Sequence, residues 1–162
     1  YTAFYTLSLH DALPISEERF KGCEMLVKQI SVFLENKEGR LAEVTSILAQ
    51  ANININALTI ADTADFGILR IIVDDAVKTE KLLKEYGFSV SVTDVLAIDI
   101  DNVPGGIARP LIKLHKNGIS VEYIYAFLAK EDDTAHVIFK VNNLETAVRI
   151  LTENGFRNTA KL

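Results

Sequence analysis

The chain has 162 residues, of which 49% are hydrophobic and 24% are charged, and its formal net charge is −5. These values suit a folded globular protein of one or two domains. The acidic balance argues against a nucleic-acid partner, because phosphate contacts require clustered Lys and Arg. No apolar segment approaches the roughly 20 residues of a membrane span, and a single cysteine excludes an intrachain disulfide. We therefore expect a cytoplasmic protein without a metal or other cofactor.

The first 24 residues differ from the rest of the chain. Segment 6–15 is similar to the in-frame translation of a common short-read sequencing adapter, and the residues after it fit read-through of an upstream untranslated stretch. On this interpretation Met25, the only methionine, is the expected start. A signal peptide is the alternative, which Asp11 and Pro14 disfavour because they interrupt the apolar stretch. We interpret residues 1–24 as a non-native or disordered extension.

An internal repeat organises the remainder. The segment Glu35–Ala42 recurs 66 positions later as Asp101–Ala108, with Asn, Gly, an aliphatic residue and Ala at matching positions. A second match, Leu82–Phe88 against Ile150–Phe156, has an offset of 68. Two residues are therefore inserted midway through the second copy, and the chain is two copies of one unit. The predicted modules are residues 25–93 and 94–162.

In chain order, the first module has the pattern of a βαββαβ unit. Val27–Glu35 alternates and is rich in β-branched residues, which favours a strand, and the apolar spacing after Gly39 favours a helix ending near Asn52. Ile53–Asp62 has strand character, and its apolar positions shift from odd to even, which indicates a β-bulge. A hairpin turn is predicted at 63–66. The remaining elements are a strand at Gly67–Val73, a helix ending at Gly87 and a strand at Phe88–Thr93.

The second module repeats this order. Its two extra residues fall at 130–133, a polar hairpin tip where added length costs little. Because no linker separates the modules, they should pack as one α+β body, with two antiparallel sheets joined side by side and four helices on one face. The predicted strands are Asp94–Asp101, Ile119–Ala129, Thr134–Val141 and Phe156–Lys161, and the helices are Gly105–Asn117 and Asn143–Asn154.

The ferredoxin-like βαββαβ fold hosts many functions, so individual residues must distinguish them. Heavy-metal-binding members need a Cys-x-x-Cys in the first loop, which the chain lacks. RNA-binding members need aromatic residues on the central strands and a basic surface, whereas the first strand offers only Phe33. Acylphosphatases need a phosphate cradle with an arginine. Arg40 is present in the first copy, but Gly106 occupies that position in the second.

The remaining candidate fits both copies. Loop segments 36–41 and 102–107 resemble the first-loop motif of the ACT family of amino-acid-binding regulatory modules, in which Gly followed by an aliphatic residue opens the helix. Segments 52–55 and 118–122 resemble that family's second strand. More specifically, the chain resembles stand-alone tandem ACT proteins, which carry no catalytic domain. It implies a non-enzymatic regulatory protein that binds a free amino acid between modules.

The resemblance and the chemistry of a zwitterion together nominate a binding site. Open amides and partial positive charge at a helix N-terminus suit a carboxylate, and glycine lets a ligand approach the backbone. In the family, the loop of one module faces the second strand of another. The nominated ligand-binding residues are Asn36, Glu38, Gly39, Arg40, Leu41, Asn54, Ile55, Asn102, Pro104, Gly105, Gly106, Ile107, Ser120 and Val121.

The two nominated sites should not be equivalent, because Gly106 replaces Arg40. Pro104 is expected in the first helical turn, where no N–H is needed. The alternative for both loops is structural: the asparagines cap the helices or shape the turns, and the glycines only permit the bend. No nucleophile–base pair emerges from the sequence, and His115 and His136 are expected to be structural or surface residues.

Aromatic residues alternate along the second module's second strand. If Ile124 and Ala126 face the helices, then Tyr123, Tyr125 and Phe127 stand on the open face of the sheet. They would form a surface for a second chain in a homodimer, or merely cover the sheet and pack across strands. Besides amino-acid binding, the sequence leaves a second function open. In it, the chain is a ligand-free subunit that docks on a metabolic enzyme, as in the acetolactate-synthase type.

Overall fold

The computed structural model describes residues 25–62, 66–128 and 133–158. The strands in these ranges are β1 Leu26–Glu35, β2 Ile55–Asp62, β3 Phe66–Val73, β4 Ser89–Asp101, β5 Val121–Leu128 and β6 Thr134–Val141. The helices are α1 Arg40–Gln50, α2 Ala76–Glu85, α3 Ala108–Lys116 and α4 Leu144–Glu153. The predicted extension 1–24, the hairpin positions 63–65 and 130–132, and residues 159–161 of the last predicted strand lie outside the described ranges.

The six strands form one antiparallel sheet in the order β2-β3-β1-β4-β6-β5. Residues 89–96 of β4 pair with β1, and residues 96–101 pair with β6 along the other edge. The strands predicted separately at Phe88–Thr93 and Asp94–Asp101 are therefore a single strand that belongs to both modules. Since both modules share it, they form one body, as the missing linker predicted.

The end of the second module completes one edge of β4. The amide of Asp99 donates to the carbonyl of Arg157 at 2.7 Å, and two residues earlier the amide of Ala97 donates to the carbonyl of Met25 at 2.8 Å. Segment 156–158 therefore continues the line of β1 along this edge, where the last strand was predicted. The described residues of the segment have no regular strand geometry.

All four helices cover the same face of the sheet, as predicted. Even-numbered residues of β4 face them along its whole length: Val90 and Val92 pack against the first core, and Leu96 and Ile98 lie within the second. Burial of these side chains away from water is the main source of stability in each module. The largest fully buried members of the two cores are Ile30, Leu48, Leu69, Ile71, Leu83, Leu96, Ile98, Leu114, Phe139 and Leu151.

The face opposite the helices also carries a buried cluster. Ala57, Ile72, Val95, Ala97 and Ile138 form it, with Tyr125 and Phe127 packed against them. These residues come from both modules and would be open to solvent on a flat sheet. They are buried because the sheet curls, so that β5 lies over the strands of the first module.

The two modules repeat the same local backbone features. The predicted bulge in β2 is confirmed by a register shift between Ile55 and Ala57, and β5 has the same shift between Val121 and Tyr123. A bulge leaves one residue unpaired and bends the strand, which helps an edge strand to turn across its neighbours. Gly87, predicted to end α2, has a φ of 83°, which is the left-handed conformation expected after a helix.

Candidate functional site

The loop between β1 and α1 (loop 1, residues 36–39) ends in a left-handed glycine. Gly39 has a φ of 85° and stands at the N-cap of α1 without a side-chain cap, a conformation that other residues adopt at a cost. The first helical bond runs from the amide of Glu43 to the carbonyl of Gly39 at 2.9 Å. Among the described residues, the amides of Leu41 and Ala42 have no hydrogen-bond acceptor. Loop 1 thus leads to an open helix N-terminus, which is a setting for an anion.

Arg40 is held against the protein at this helix start. Its Nη1 donates to Glu43 Oε2 at 2.6 Å, and its guanidinium carbon lies 4.8 Å from the centre of the Phe88 ring. Its Nε is buried and has no hydrogen-bond partner among the described residues. Phe88 was not nominated from the sequence, because it follows α2 and only the tertiary fold brings it beside loop 1. The guanidinium is therefore held in place by Glu43 and Phe88.

Loop 1 also carries alternating charges. Lys37 Nζ lies 2.6 Å from Glu35 Oε2 on the exposed surface. The hydrogen bond from Lys37, together with its positive charge, lowers the pKa of Glu35 below its ordinary value. With Glu38 also exposed, the loop offers both carboxylates and cations within six residues. A zwitterion requires this combination.

The equivalent loop between β4 and α3 (loop 2, residues 102–107) repeats the turn of loop 1, in which the amide of Arg40 donates to the carbonyl of Lys37 at 3.4 Å. The amide of Gly106 donates to the carbonyl of Val103 at 2.9 Å, and Gly105 has a φ of 84°. This is a type II turn with Pro104 in its second position. The helix begins only at Ala108, so the prediction that Pro104 lies in the first helical turn and that the helix starts at Gly105 was wrong. The positive φ of Gly105 is incompatible with a helix.

Gly106 is required by packing. A Cβ atom there would overlap the carbonyl oxygen of Asp101 and lie 3.2 Å from the carbonyl oxygen of Val103. An arginine therefore cannot replace it without moving the backbone. The amide of Ala108 is already bonded to the carbonyl of Gly105 at 3.1 Å, and Val103 and Ile107 present exposed apolar side chains. Loop 2 is thus less charged and less open than loop 1.

The starts of the two second strands are anchored in the same way. The amide of Asn54 donates to Asp74 Oδ1 at 3.2 Å, and the amide of Asp74 donates back to the carbonyl of Asn54 at 3.3 Å. The amide of Ser120 donates to Asn142 Oδ1 at 3.0 Å, and the amide of Asn142 donates back at 3.1 Å. The sequence analysis missed Asp74 and Asn142, although the 68-residue offset relates them. Since both strand amides are engaged, the ligand-facing groups here would be side chains.

The register separates each loop from the other module's second strand. β4 has 13 residues, so its ends are about 40 Å apart. Loop 1 lies near one end and loop 2 follows the other. Pairing through β3 and β6 places Ile55 and Val121 both level with Asp94, in the middle of β4. Each strand start is thus displaced by roughly 23 Å along the sheet from both loops. A single chain does not bring the nominated loops and strand starts together.

The aromatic residues predicted to face a second chain contact the first module of the same chain. Gln29, fully buried on β1, donates from Nε2 to the Tyr123 hydroxyl at 2.7 Å and accepts at Oε1 from the Tyr125 hydroxyl at 3.0 Å. The guanidinium of Arg70 lies 4.0 Å from the centre of the Tyr123 ring. Burial, with the neighbouring Tyr123 as a second cause, raises the pKa of Tyr125 above its ordinary value. These residues form a polar contact between the modules.

The third aromatic residue packs against the cluster that both modules share and also contacts a histidine of its own module. The ring of Phe127 lies 5.1 Å from that of His136, and His136 Nδ1 is 2.6 Å from Asp99 Oδ1. His136 is a buried structural residue and His115 an exposed one, in line with the sequence analysis. In the part of the chain that the structure describes, no three His, Cys, Asp or Glu side chains converge as metal ligands. None of its helices is long and apolar enough to cross a membrane.

The repeated βαββαβ units, the shared sheet and the two sister loops agree with one family model. Residues 25–161 match the ACT domain pair. The chain belongs to the ACT domain pair family. The tandem ACT architecture predicted from the loops and second strands is therefore confirmed.

Solved structures share this fold. A protein from Bacteroides thetaiotaomicron is 46% identical, with a TM-score of 0.78 over 82% of this chain and 91% of that one. The ligand-free regulatory subunit of aspartate kinase from Thermus thermophilus is 19% identical, with a TM-score of 0.62 over 82% and 95%. The corresponding subunit from Thermus flavus is 15% identical, with a TM-score of 0.56 over 80% and 92%. Among curated proteins, none matches the chain.

Proposed function

We propose that this ACT domain pair is a non-catalytic regulatory protein that binds a free amino acid with the ligand's carboxylate at the start of α1. The observation that carries the proposal is the arrangement after Gly39. There, the open amides of Leu41 and Ala42 and the positioned guanidinium of Arg40 lie together on one module. The fold shared with regulatory subunits of aspartate kinase supports a regulatory role.

The groups of loop 1 suit both ends of the ligand. A carboxylate at the helix N-terminus would accept from backbone amides and interact with the helix dipole. The remaining Nη–H groups of Arg40, whose side chain is 35% exposed, would add a charge-assisted hydrogen bond. The ligand's ammonium needs acceptors, and the Glu38 carboxylate and the Asn36 side-chain oxygen provide them on the same loop. Loop 2 has neither the arginine nor a neighbouring carboxylate at these positions, so loop 1 is the primary site.

A second chain would provide the opposing wall of the site. The register keeps the nominated strand residues roughly 23 Å from either loop of the same chain. They can therefore form a wall only for a loop of another copy; these residues are Asn54, Ile55, Ser120 and Val121. A ligand held between two chains would favour one arrangement of their interface over others. A partner protein that binds only that arrangement would then respond to the amino acid.

The proposal is tested by thermal unfolding in the presence of each of the twenty amino acids at millimolar concentration. At 100 times its dissociation constant, a ligand that binds only the folded state adds about 2.7 kcal/mol of stability. We expect at least one amino acid to raise the unfolding temperature. Arg40→Gln should weaken the affinity for that amino acid at least tenfold and so reduce the rise. Arg109→Gln is the matched control, because Arg109 also lies in the first turn of a helix that follows a sister loop.

Two results would refute the ligand site. One is the absence of stabilisation by any amino acid, and the other is an equal loss of affinity in Arg40→Gln and Arg109→Gln. Arg40→Gln also removes the cation–π contact with Phe88 and the ion pair with Glu43, and an unfolding curve without ligand measures that structural loss separately.

The apolar tip of loop 2 favours a second candidate function, in which the chain is a subunit that docks on a metabolic enzyme without binding a ligand. Val103, Ile107 and Ile112 are 48%, 41% and 50% exposed, and exposed apolar residues grouped in this way mark protein contacts. Under this candidate, no amino acid stabilises the chain, and Ile107→Asp abolishes activation of a co-purified enzyme while Arg40→Gln does not.

A further inference from the structure

Two basic side chains on the face of the sheet opposite the helices (the open face) have no carboxylate partner. Arg70 on β3 and Lys140 on β6 each lie two residues from a member of the buried cluster on that face, Ile72 and Ile138 respectively. Both cations are half-buried, and among the described residues neither forms an ion pair. Partly buried charges are normally paired, and in a chain with a net charge of −5 carboxylates are plentiful. These two cations therefore require an explanation.

The repeat shows that the fold does not need a charge at either position. With the offset of 68 residues, the sister of Arg70 is Ile138 and the sister of Lys140 is Ile72. Both isoleucines are fully buried. The same place on the same strand thus accepts an apolar side chain in the other module, so each cation replaces a residue that packs well. Packing alone does not account for Arg70 and Lys140.

Tyr123 brings the two cations to one place. The guanidinium carbon of Arg70 lies 4.0 Å from the centre of the Tyr123 ring, and Lys140 is directly opposite Tyr123 on the neighbouring strand. Side chains directly opposite each other on one face have Cβ atoms about 5 Å apart. The curl of the sheet therefore places one cation from each module beside the same tyrosine.

The hydroxyl groups next to these cations are oriented as hydrogen-bond donors. Gln29 Nε2 donates to the Tyr123 hydroxyl at 2.7 Å and to Ser31 Oγ at 3.3 Å. These two bonds use both protons of the amide nitrogen, so each hydroxyl accepts from it and keeps its own proton. Among the described residues, neither proton has an acceptor. Since both hydroxyls contact one nitrogen atom and Ser31 pairs with Arg70, the two protons and the guanidinium are neighbours.

No acidic side chain faces this group from the surrounding strands. On the open face, Arg70 lies in a row with Thr59, Ser31 and Ser91, which belong to β2, β1 and β4. The residues two positions before and after each member of the row are uncharged as well. An anion on this part of the open face would meet donors and positive charge without a competing carboxylate.

We propose that the open face between the two modules binds a compact oxyanion with two negative charges, which is a phosphate group or a small dicarboxylate. Arg70 and Lys140 supply the two positive charges, and the hydroxyls of Tyr123 and Ser31 donate to the oxygens of the ligand. An anion held in this way contacts both modules at once. The site lies on the opposite face of the sheet from the helices, and it does not rest on the amino-acid binding proposed at the start of α1.

Isothermal titration calorimetry with inorganic phosphate and, separately, with malonate tests the site at constant ionic strength. We expect saturable binding of at least one of these anions. Arg70→Gln and Lys140→Gln should each weaken the affinity at least about tenfold, because each removes a charge-assisted interaction. If Arg70→Gln folds poorly, Lys140→Gln decides. Lys116→Gln is the matched control: it makes the same change in net charge at an exposed position on α3 and should leave the affinity unchanged.

Binding of phosphate, of malonate or of both supports the site, and the preference between them shows which oxyanion it takes. The proposal is overturned if the wild-type chain binds neither anion at millimolar concentration. It is also overturned if Arg70→Gln or Lys140→Gln folds but keeps the wild-type affinity, or if Lys116→Gln weakens binding as much as they do.

Arg40→Gln separates this site from loop 1, because a helix N-terminus also attracts anions. This variant should keep the wild-type affinity for phosphate or malonate although it weakens amino-acid binding. Loss of the anion in Arg40→Gln would place it at the start of α1 and overturn the open-face site. Conversely, a chain that binds phosphate or malonate at Arg70 and Lys140 but no amino acid contradicts only the function proposed for loop 1.

Discussion

Loop 1 and loop 2 have nearly the same glycine conformation, with φ of 85° at Gly39 and 84° at Gly105, yet the next residue is Arg40 in one and Gly106 in the other. The first is held over Phe88. The second has no room for a side chain. The repeated glycine thus preserves the backbone turn, whereas the residue after it gives each loop a different surface.

The edge strands follow the same rule. β2 and β5 share a bulge at the same point, but β5 carries Tyr123, Tyr125 and Phe127 where β2 carries Ala57, Thr59 and Ala61. The large side chains of β5 reach across the curled sheet to the first module. β2 has only small side chains at these positions. The duplicated strands thus differ in the side chains with which they join the two modules.

Loss of core volume should have the largest effect and tests whether the modules are one body. Leu48 and Leu114 occupy equivalent positions on α1 and α3, and both are fully buried. Replacing either with Ala should lower the free energy of unfolding by about 3 kcal/mol. Because β4 is shared, each variant should show one transition by circular dichroism and by tyrosine fluorescence. Two separate transitions, with only the altered module destabilised, would contradict the single body.

Breaking the polar contact between the modules should have the next largest effect. Gln29→Leu leaves the hydroxyls of Tyr123 and Tyr125 without their partner and should cost about 1–3 kcal/mol in urea unfolding. In the second module, the position equivalent to Gln29 is occupied by Val95. An apolar residue is therefore compatible with this position of the strand. Adding Tyr123→Phe and Tyr125→Phe to Gln29→Leu should therefore recover part of the loss. A triple variant less stable than Gln29→Leu alone would show that the hydroxyls contribute through other contacts.

Helix capping should have a smaller effect, and its salt dependence should differ between modules. Asp75 caps α2 by accepting from the amide of Lys78 at 2.9 Å, and Asn143 caps α4 by accepting from the amide of Thr146 at 3.0 Å. Each Ala variant should cost about 1 kcal/mol. Only the Asp75 cap adds a charge at a helix N-terminus, so raising the salt concentration should reduce the cost of Asp75→Ala alone. An equal response of both variants to salt would exclude this charge contribution.

The smallest effect concerns the pKa of Tyr125, which burial raises above its ordinary value. The contribution of this residue to stability is complete below the ordinary tyrosine pKa of about 10. It is lost as the pH rises further, because only the unfolded chain then releases the proton. Between pH 9 and pH 11, wild type should therefore lose more stability than Tyr125→Phe. Parallel losses in the two proteins would show that Tyr125 ionises equally in the folded and unfolded states.

The repeat and the local patterns were sufficient to predict the order of elements, the bulge in β2, the helices on one face and the ACT family. These features depend on side-chain period and turn residues, which are local. The start of α3 was predicted too early, also for a local reason. Pro104 and Gly105 form the centre of a turn from Val103 to Gly106, and the apolar spacing of the helix does not indicate that turn.

The neighbours of the nominated residues depended on the tertiary structure. Phe88 reaches Arg40 only because α2 delivers it there, and Tyr123 meets Gln29, 94 positions away in sequence, only because the sheet curls. The sequence by itself determined which groups could hold a zwitterion. The course of the shared strand β4 decided that its two loops lie at opposite ends, because a continuous extended strand keeps its ends far apart.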